Sequence, residues 1–383
     1  RTLAMIDLSE SESYLVDIFR IRGGTDHVLS YHAGEGDVAI DGLAMERQEE
    51  GTYAGTDIPF GTHYDGPVGG DYTGSGFAYL YDVSRAADVD KGWRADWSLV
   101  DTWGTKIGEA PVRVRYHALS RCDSAALTFG DPPQNKPGNP RRLRYLLQHN
   151  KGADLGSLFA SVVEPYSGDT PNLASVERLD LDLSDDDLTA AAVRTVSVAG
   201  RTDLILSSDD PDRVFDLGSG VKAAGRMVVV SLEGERLVSA FLLGGVSLET
   251  PAGLLQVASR AYTGVVCDLY REEVGPAWVD ARGDLPVGDG LKGSQLRVHN
   301  DGLRDACYTV ERVTARSDGT LRIDLGDTTF VRGLASDEDY DQGYVHNFGL
   351  GDTLDVQTVV PLRFGQAGPI EERATTGFDW KPA

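Results

Sequence analysis

The sequence predicts an all-β protein, an antiparallel β-sandwich over residues 1–260 followed by a smaller β-sandwich or barrel over residues 261–383. Three observations lead there. Short runs rich in Val, Ile, Leu, Phe and Tyr recur along the chain; many alternate apolar with polar residues at period two; and 45 Gly and 16 Pro punctuate them. At 383 residues, with 41% hydrophobic and 25% charged residues, the chain is long enough for two or more cores. No apolar run reaches 18 residues, so no membrane span is expected.

The first element is the stretch from Tyr14 to His32, two apolar runs flanking Gly23-Gly24. Adjacent glycines accept the positive φ angles of a tight reversal, so the stretch reads as a β-hairpin. In its first arm Leu15, Asp17, Phe19 and Ile21 face one way and Tyr14, Val16, Ile18 and Arg20 the other. Apolar residues on both faces mark an interior strand. The segment Gly61 to Gly76 is long, polar and aromatic, the character of a ligand-contacting loop. FAYLYDV (Phe77 to Val83) is the next strand. Trp93, Trp97 and Trp103 follow within eleven residues; Trp93 and Trp97 read as core, whereas a tryptophan such as Trp103 also suits stacking on a sugar ring.

PVRVRYHAL (Pro111 to Leu119) alternates Val112, Val114, Tyr116 and Ala118 with Arg113, Arg115 and His117, which predicts a half-buried strand with a basic outer face. Four prolines between Asp131 and Pro140 force a loop. RLRYLLQHN and LGSLFASVVEPY read as a strand pair joined at KGAD. SDDDLTAAAVRT (Ser184 to Thr195) is the one helix expected, with Ser184 as N-cap and three Asp in its first turn. Further strands follow, with hairpin turns at Glu233-Gly234 and at Ser317-Asp318-Gly319. A boundary is expected between Ser259 and Gly264, beyond which short strands recur about every ten residues.

VDIFRIRGGTDHVLSYH with the upstream RTLAMID, LRYLLQHNKGADLGSLFASVVEPYSG (Leu143 to Gly168) and LGDTTFVRG (Leu325 to Gly333) together resemble the β-rich C-terminal half of the heparinase II/III-like polysaccharide lyases. The resemblance implies a β-super-sandwich, cleavage of uronic-acid glycans by β-elimination, and a secreted or periplasmic location. It also implies that the catalytic Tyr and His lie mainly on an N-terminal (α/α) toroid, with a further His in a stretch that also supplies metal ligands. By alignment of RTLAMID, both would precede Arg1. The partners it implies are an acidic polysaccharide and that toroid, and a divalent metal in the intact enzyme; no cofactor is identified in this chain, which alone is expected to be inactive. The alternative is a non-catalytic glycan-binding or scaffolding β-module.

A net charge of −24 argues against nucleic acid as a partner, since phosphate binding needs a basic surface. It also opposes a polyanionic glycan, unless local clusters such as Arg113 with Arg115, or Arg141, Arg142 and Arg144, offset the field. Cys122, Cys267 and Cys307 have no zinc-binding spacing, and the seven histidines form no metal-ligand pattern. β-Elimination needs a base, a group that neutralises the uronate carboxylate, and an acid for the leaving oxygen. His27 and the adjacent pair His63 and Tyr64 are the candidates for proton transfer. Trp103, Arg113 and Arg115 are the candidates for substrate contact.

Overall fold

The computed structural model of the chain describes residues 1–62, 76–106, 108–134, 136–184, 187–270, 275–299, 305–330, 332–336, 338–365, 368–371 and 374–383. It is all-β and built of antiparallel sheets. Among the described residues the only helical elements are single 3₁₀ turns at Phe77–Tyr79 and Tyr340–Gln342. The helix expected from Ser184 to Thr195 is not formed among the described residues, residues 185 and 186 lying outside them. Thr189 closes a turn on the Asp187 carboxylate, and Ala190–Ser197 is a strand. Ala190, Ala191, Ala192 and Val193 are all buried there, so packing overrides alanine's helical preference.

The chain divides into two compact units, Arg1–Ser207 and Ser208–Ala383. The expected boundary near residue 260 falls inside the second of these. Within that unit Val359–Gly365 pairs with Arg236–Leu243, and Phe378–Pro382 pairs with Gly253–Val257. The chain after residue 260 therefore completes sheets begun before it. A seven-stranded sheet that includes Ala261–Leu269, Ala277–Gly283 and Leu321–Gly326 carries a separate core of Val279, Leu296, Val298, Ile323 and Val356. The two expected hairpins in this unit are present: Glu233 pairs with Arg236, and Ala315 with Leu321.

The first unit contains strands β1 (Thr2–Asp7), β2 (Ser13–Arg22), β3 (Asp26–His32), β4 (Gly36–Asp41), β5 (Glu46–Arg47), β6 (Leu80–Val89), β7 (Arg94–Leu99), β8 (Val112–Ala118), β9 (Cys122–Gly130), β10 (Leu143–Lys151), β11 (Gly156–Ser167), β12 (Leu173–Arg178), β13 (Ala190–Ser197) and β14 (Arg201–Ser208). One sheet runs β1-β2-β11-β8-β7-β4 and another β3-β10-β9-β6-β5. Their shared core holds Trp93, Trp97, Tyr116 and Phe159 from the first sheet and its connections, against Leu29, Ala125 and Leu146 from the second. On the opposite face of the first sheet, the buried Tyr14 hydroxyl meets Thr195 of β13 at 2.8 Å and donates to Asp203 of β14 at 2.9 Å. Both faces of β2 are thus covered, as its pattern predicts.

The stretch from Tyr14 to His32 departs from expectation in one respect. Gly23 and Gly24 do turn the chain, with φ of 85° and 79°, but β2 and β3 do not pair with each other. The turn carries the chain from one sheet to the other, and β10 and β11 repeat the manoeuvre, so that β3 pairs with β10 and β2 with β11. The two turns are hydrogen-bonded together: Gly23 N donates to Leu155 O at 2.9 Å, Gly152 N to Thr25 O at 3.0 Å and Leu155 N to Gly24 O at 3.2 Å. Stacked turns satisfy each other's backbone polar groups, which a lone turn of this kind would leave unpaired.

Candidate functional site

The residues that flank the long Gly61 to Gly76 loop form an exposed aromatic cluster at one end of the first sandwich. Residues 63–75, which include His63 and Tyr64, lie outside the described residues. At the foot of that loop Gly61 N donates to Ala78 O at 3.0 Å, Tyr79 N to Gly76 O at 3.0 Å and the Thr62 hydroxyl to Pro59 O at 2.7 Å. This knot holds Phe60 and Tyr79 edge to face at 5.7 Å while leaving them 56% and 39% exposed. Phe60 also meets Tyr81 at 5.5 Å, and Tyr81 meets Phe129 at 6.0 Å.

Tyr81 sits at a break in register between β6 and β9, beside Asp82, whose φ is 51°. An inserted residue twists a strand locally and re-aims its side chains, a device common beside binding sites. The Tyr81 hydroxyl donates to Asp131 at 2.7 Å; burial first, and then that carboxylate, raise its pKa. Across β9 and β10, Arg144 is paired in register with Phe129. Its guanidinium lies 3.4 Å from the Phe129 ring centroid, with that of Arg142 at 4.1 Å. Gly130 makes room for this corner, because a Cβ there would come within 2.7 Å of Tyr145 and 2.9 Å of Leu80.

Arg144 has no carboxylate at ion-pair distance among the described residues, and its Nε is buried without a hydrogen-bond partner among them. Burial lowers its pKa, although Asp82 and Asp37 pull the other way. Arg144 is thus a half-buried cation held on an aromatic face, with guanidinium donors that bond no described residue. Planar aromatic rings beside it suit the C–H faces of a pyranose.

Of the residues expected to contact substrate, Trp103 is 63% exposed, on a turn fixed by Val100 N donating to Glu35 O and the Thr102 hydroxyl to the Glu35 carboxylate, both at 2.8 Å. It lies against Gly138 of the proline-rich loop, where a Cβ would be 3.9 Å from the indole. That loop carries Asp131 at one end and leads to Arg142 at the other. Arg113 and Arg115 are elsewhere, on β8. Arg113 is fully engaged by Ser98, Gly168 O and Asp169, and Arg115 forks onto Asp96 at 2.8 to 3.0 Å. Their face is not the open basic surface that alternation suggests: β8 is an interior strand and His117 is buried.

His27 has both ring nitrogens committed. Nε2 lies 2.6 Å from Gly23 O and so carries the proton, which leaves Nδ1 to accept from the Ser157 hydroxyl at 2.9 Å. It latches the turn between β2 and β3. A Tyr–His pair does occur where none was expected: Tyr53 Oη meets His149 Nδ1 at 3.3 Å, and His149 Nε2 meets Asp26 at 2.7 Å. Tyr53 is buried beneath Phe77, and burial pushes its pKa up to about 12. Phe60, Tyr79, Tyr81 and Phe129 were not singled out by the sequence. The signal for the first three was the placing of aromatics on either side of the Gly61 to Gly76 segment, whereas Phe129 joins them only through the pairing of β6 with β9.

Compared with known proteins, the chain matches no family model and no curated protein. Among the described residues no group of three His, Cys, Asp or Glu is placed to hold a metal ion, and no helix is long and apolar enough to cross a membrane.

Proposed function

We propose that this chain is the β-portion of a polysaccharide lyase acting on uronic-acid glycans, and that its aromatic–arginine end forms one wall of the substrate cleft. The observation that carries the proposal is the Arg144 guanidinium, stacked on Phe129 without a carboxylate partner among the described residues and bordered by exposed Phe60 and Tyr79. Arg144 and Arg142 would take uronate carboxylates while the rings take sugar faces. Neutralising that carboxylate is one of the three demands of the reaction. In it a base removes the proton α to the carboxylate, the bond from the β carbon to the glycosidic oxygen breaks, a carbon–carbon double bond forms, and an acid protonates the departing oxygen. The base and acid belong, on the resemblance, to an N-terminal α/α toroid, and the enzyme to a secreted or periplasmic setting.

A glycan-binding module without lyase activity is the second reading. It is favoured by the burial of Tyr53, which removes the Tyr–His pair with Asp26 from contact with a polymer. Migration of the chain through gels containing polygalacturonate, with dextran as the neutral control, tests the shared surface. Retardation by polygalacturonate alone, weakened about tenfold in Arg144→Met, is expected from the loss of one charge-assisted contact. Equal migration in both gels would overturn both readings. The ultraviolet absorbance of the unsaturated product then separates them: it should grow when the chain is joined to the α/α toroid that the resemblance implies, and stay flat with the chain alone.

A further inference from the structure

The basic face of β8 lines a depression of about 460 Å³, bounded by Trp93, Arg94, Arg115, His117, Thr170 and Ser175 among others. This is within the size range of small-molecule sites, roughly 300 to 1,000 Å³. The strand register places Arg94 opposite His117 and Asp96 opposite Arg115 on one face. Each basic side chain is anchored along one edge. Arg115 holds Asp96 through Nε and Nη2, Arg94 holds Asp41 through Nη2, and His117 Nε2 faces Glu164 at 3.3 Å. The anchors are themselves fixed: Glu164 accepts from the backbone of Asn172 and Leu173, and Asp96 from the Tyr166 hydroxyl at 3.2 Å.

The opposite edges stay open. Arg115 Nη1, Arg94 Nη1 and His117 Nδ1 have no protein partner among the described residues. His117 Nε2 faces the Glu164 carboxylate, which leaves Nδ1 as the ring nitrogen on the open side. Guanidinium donors, an imidazole nitrogen and the hydroxyl-bearing Thr170 and Ser175 thus converge on one cavity. The charges decide the ligand. Asp41, Asp96 and Glu164 face Arg94, Arg115 and His117 one for one, so an anion gains no net attraction, whereas alcohol groups find guanidinium donors and hydroxyl acceptors together.

We propose that this depression is a second carbohydrate site, selective for a neutral pyranose. It goes beyond the function proposed above, from which it differs in position and in ligand charge. The probe is methyl β-galactoside, titrated into the chain while amide resonances are followed by NMR, with methyl glucoside and methyl glucuronide as comparison ligands. Saturable shifts confined to residues 92–94, 115–119 and 170–176 are expected with a neutral glycoside at millimolar levels. Arg115→Lys, which keeps a charge for Asp96 but loses the free Nη1, should weaken binding about tenfold. Arg94→Gln, at the exposed rim where folding is not at risk, should weaken it in the same direction. Arg144→Met should leave it unchanged, so failure of the uronate site and failure of this one are read separately. Absence of saturable shifts, indifference to Arg94→Gln, or tighter binding of the glucuronide would overturn the proposal.

Discussion

Two strands of the first unit carry nearly the same four residues. β8 has Arg113-Val114-Arg115-Tyr116, and the segment entering β10 has Arg142-Leu143-Arg144-Tyr145. Their electrostatic fates are opposite. Arg115 lies across from Asp96 and forks onto it, whereas Arg144 lies across from Phe129 and stacks on its ring. Tyr116 is wholly buried and donates to Gln148 at 2.9 Å, while Tyr145 is half-buried and packs against His32. The residue supplied by the neighbouring strand therefore decides whether an arginine is held by a carboxylate or stacked on a ring.

Removing the neighbour on the paired side should have the largest effect. Asp96→Ala strands a half-buried guanidinium and the Tyr166 hydroxyl, and should cost about 2–3 kcal/mol in denaturant unfolding. A loss below about 0.5 kcal/mol would show that Arg115 is as free as Arg144 and dissolve the contrast. On the unpaired side, Arg144→Met should leave stability within about 0.5 kcal/mol or raise it, since it removes a desolvated charge that has no ion-pair partner among the described residues. The same change should weaken polygalacturonate binding about tenfold, equivalent to about 1.4 kcal/mol.

The two tyrosines sharpen the comparison at alkaline pH. Burial raises the pKa of Tyr116 above the unfolded value of about 10, and Tyr31, stacked on it at 4.9 Å, is pushed up to about 12. A raised folded pKa means that the native state holds its proton where the unfolded state has lost it. The stabilisation is present in full below pH about 10 and is lost as pH rises through the folded values. Tyr116→Phe should make that decline shallower, at a neutral-pH cost of about 1 kcal/mol for the lost bond to Gln148. An unaltered pH profile would place the alkaline transition elsewhere. The smallest effect belongs to Asp169, whose carboxylate is exposed although it pairs with Arg113 at 2.9 Å. Asp169→Asn should change stability by less than about 0.5 kcal/mol.

What the sequence determined by itself is the local grammar. Period-two alternation marked the β class, paired glycines marked the reversal at Gly23-Gly24, and the apolar residues on both faces of β2 marked an interior strand. Trp93 and Trp97 were legible as core, and they are buried. The exposed aromatics around the Gly61 to Gly76 loop were legible only as a loop worth noticing. The tertiary structure alone decided which strands meet. A turn that joins two strands of one sheet and a turn that passes between two sheets draw on the same glycines and the same alternation. Only the bonds from Gly23 to Leu155 and from Gly152 to Thr25 distinguish them, and those partners are more than a hundred residues apart. The same holds for the helix expected at Ser184 to Thr195, where propensity is local but the burial of Ala190 to Val193 is not. It holds equally for the arginines. Charge is written in the residue, but the carboxylate or ring that answers it comes from another strand, through a register that no single stretch encodes.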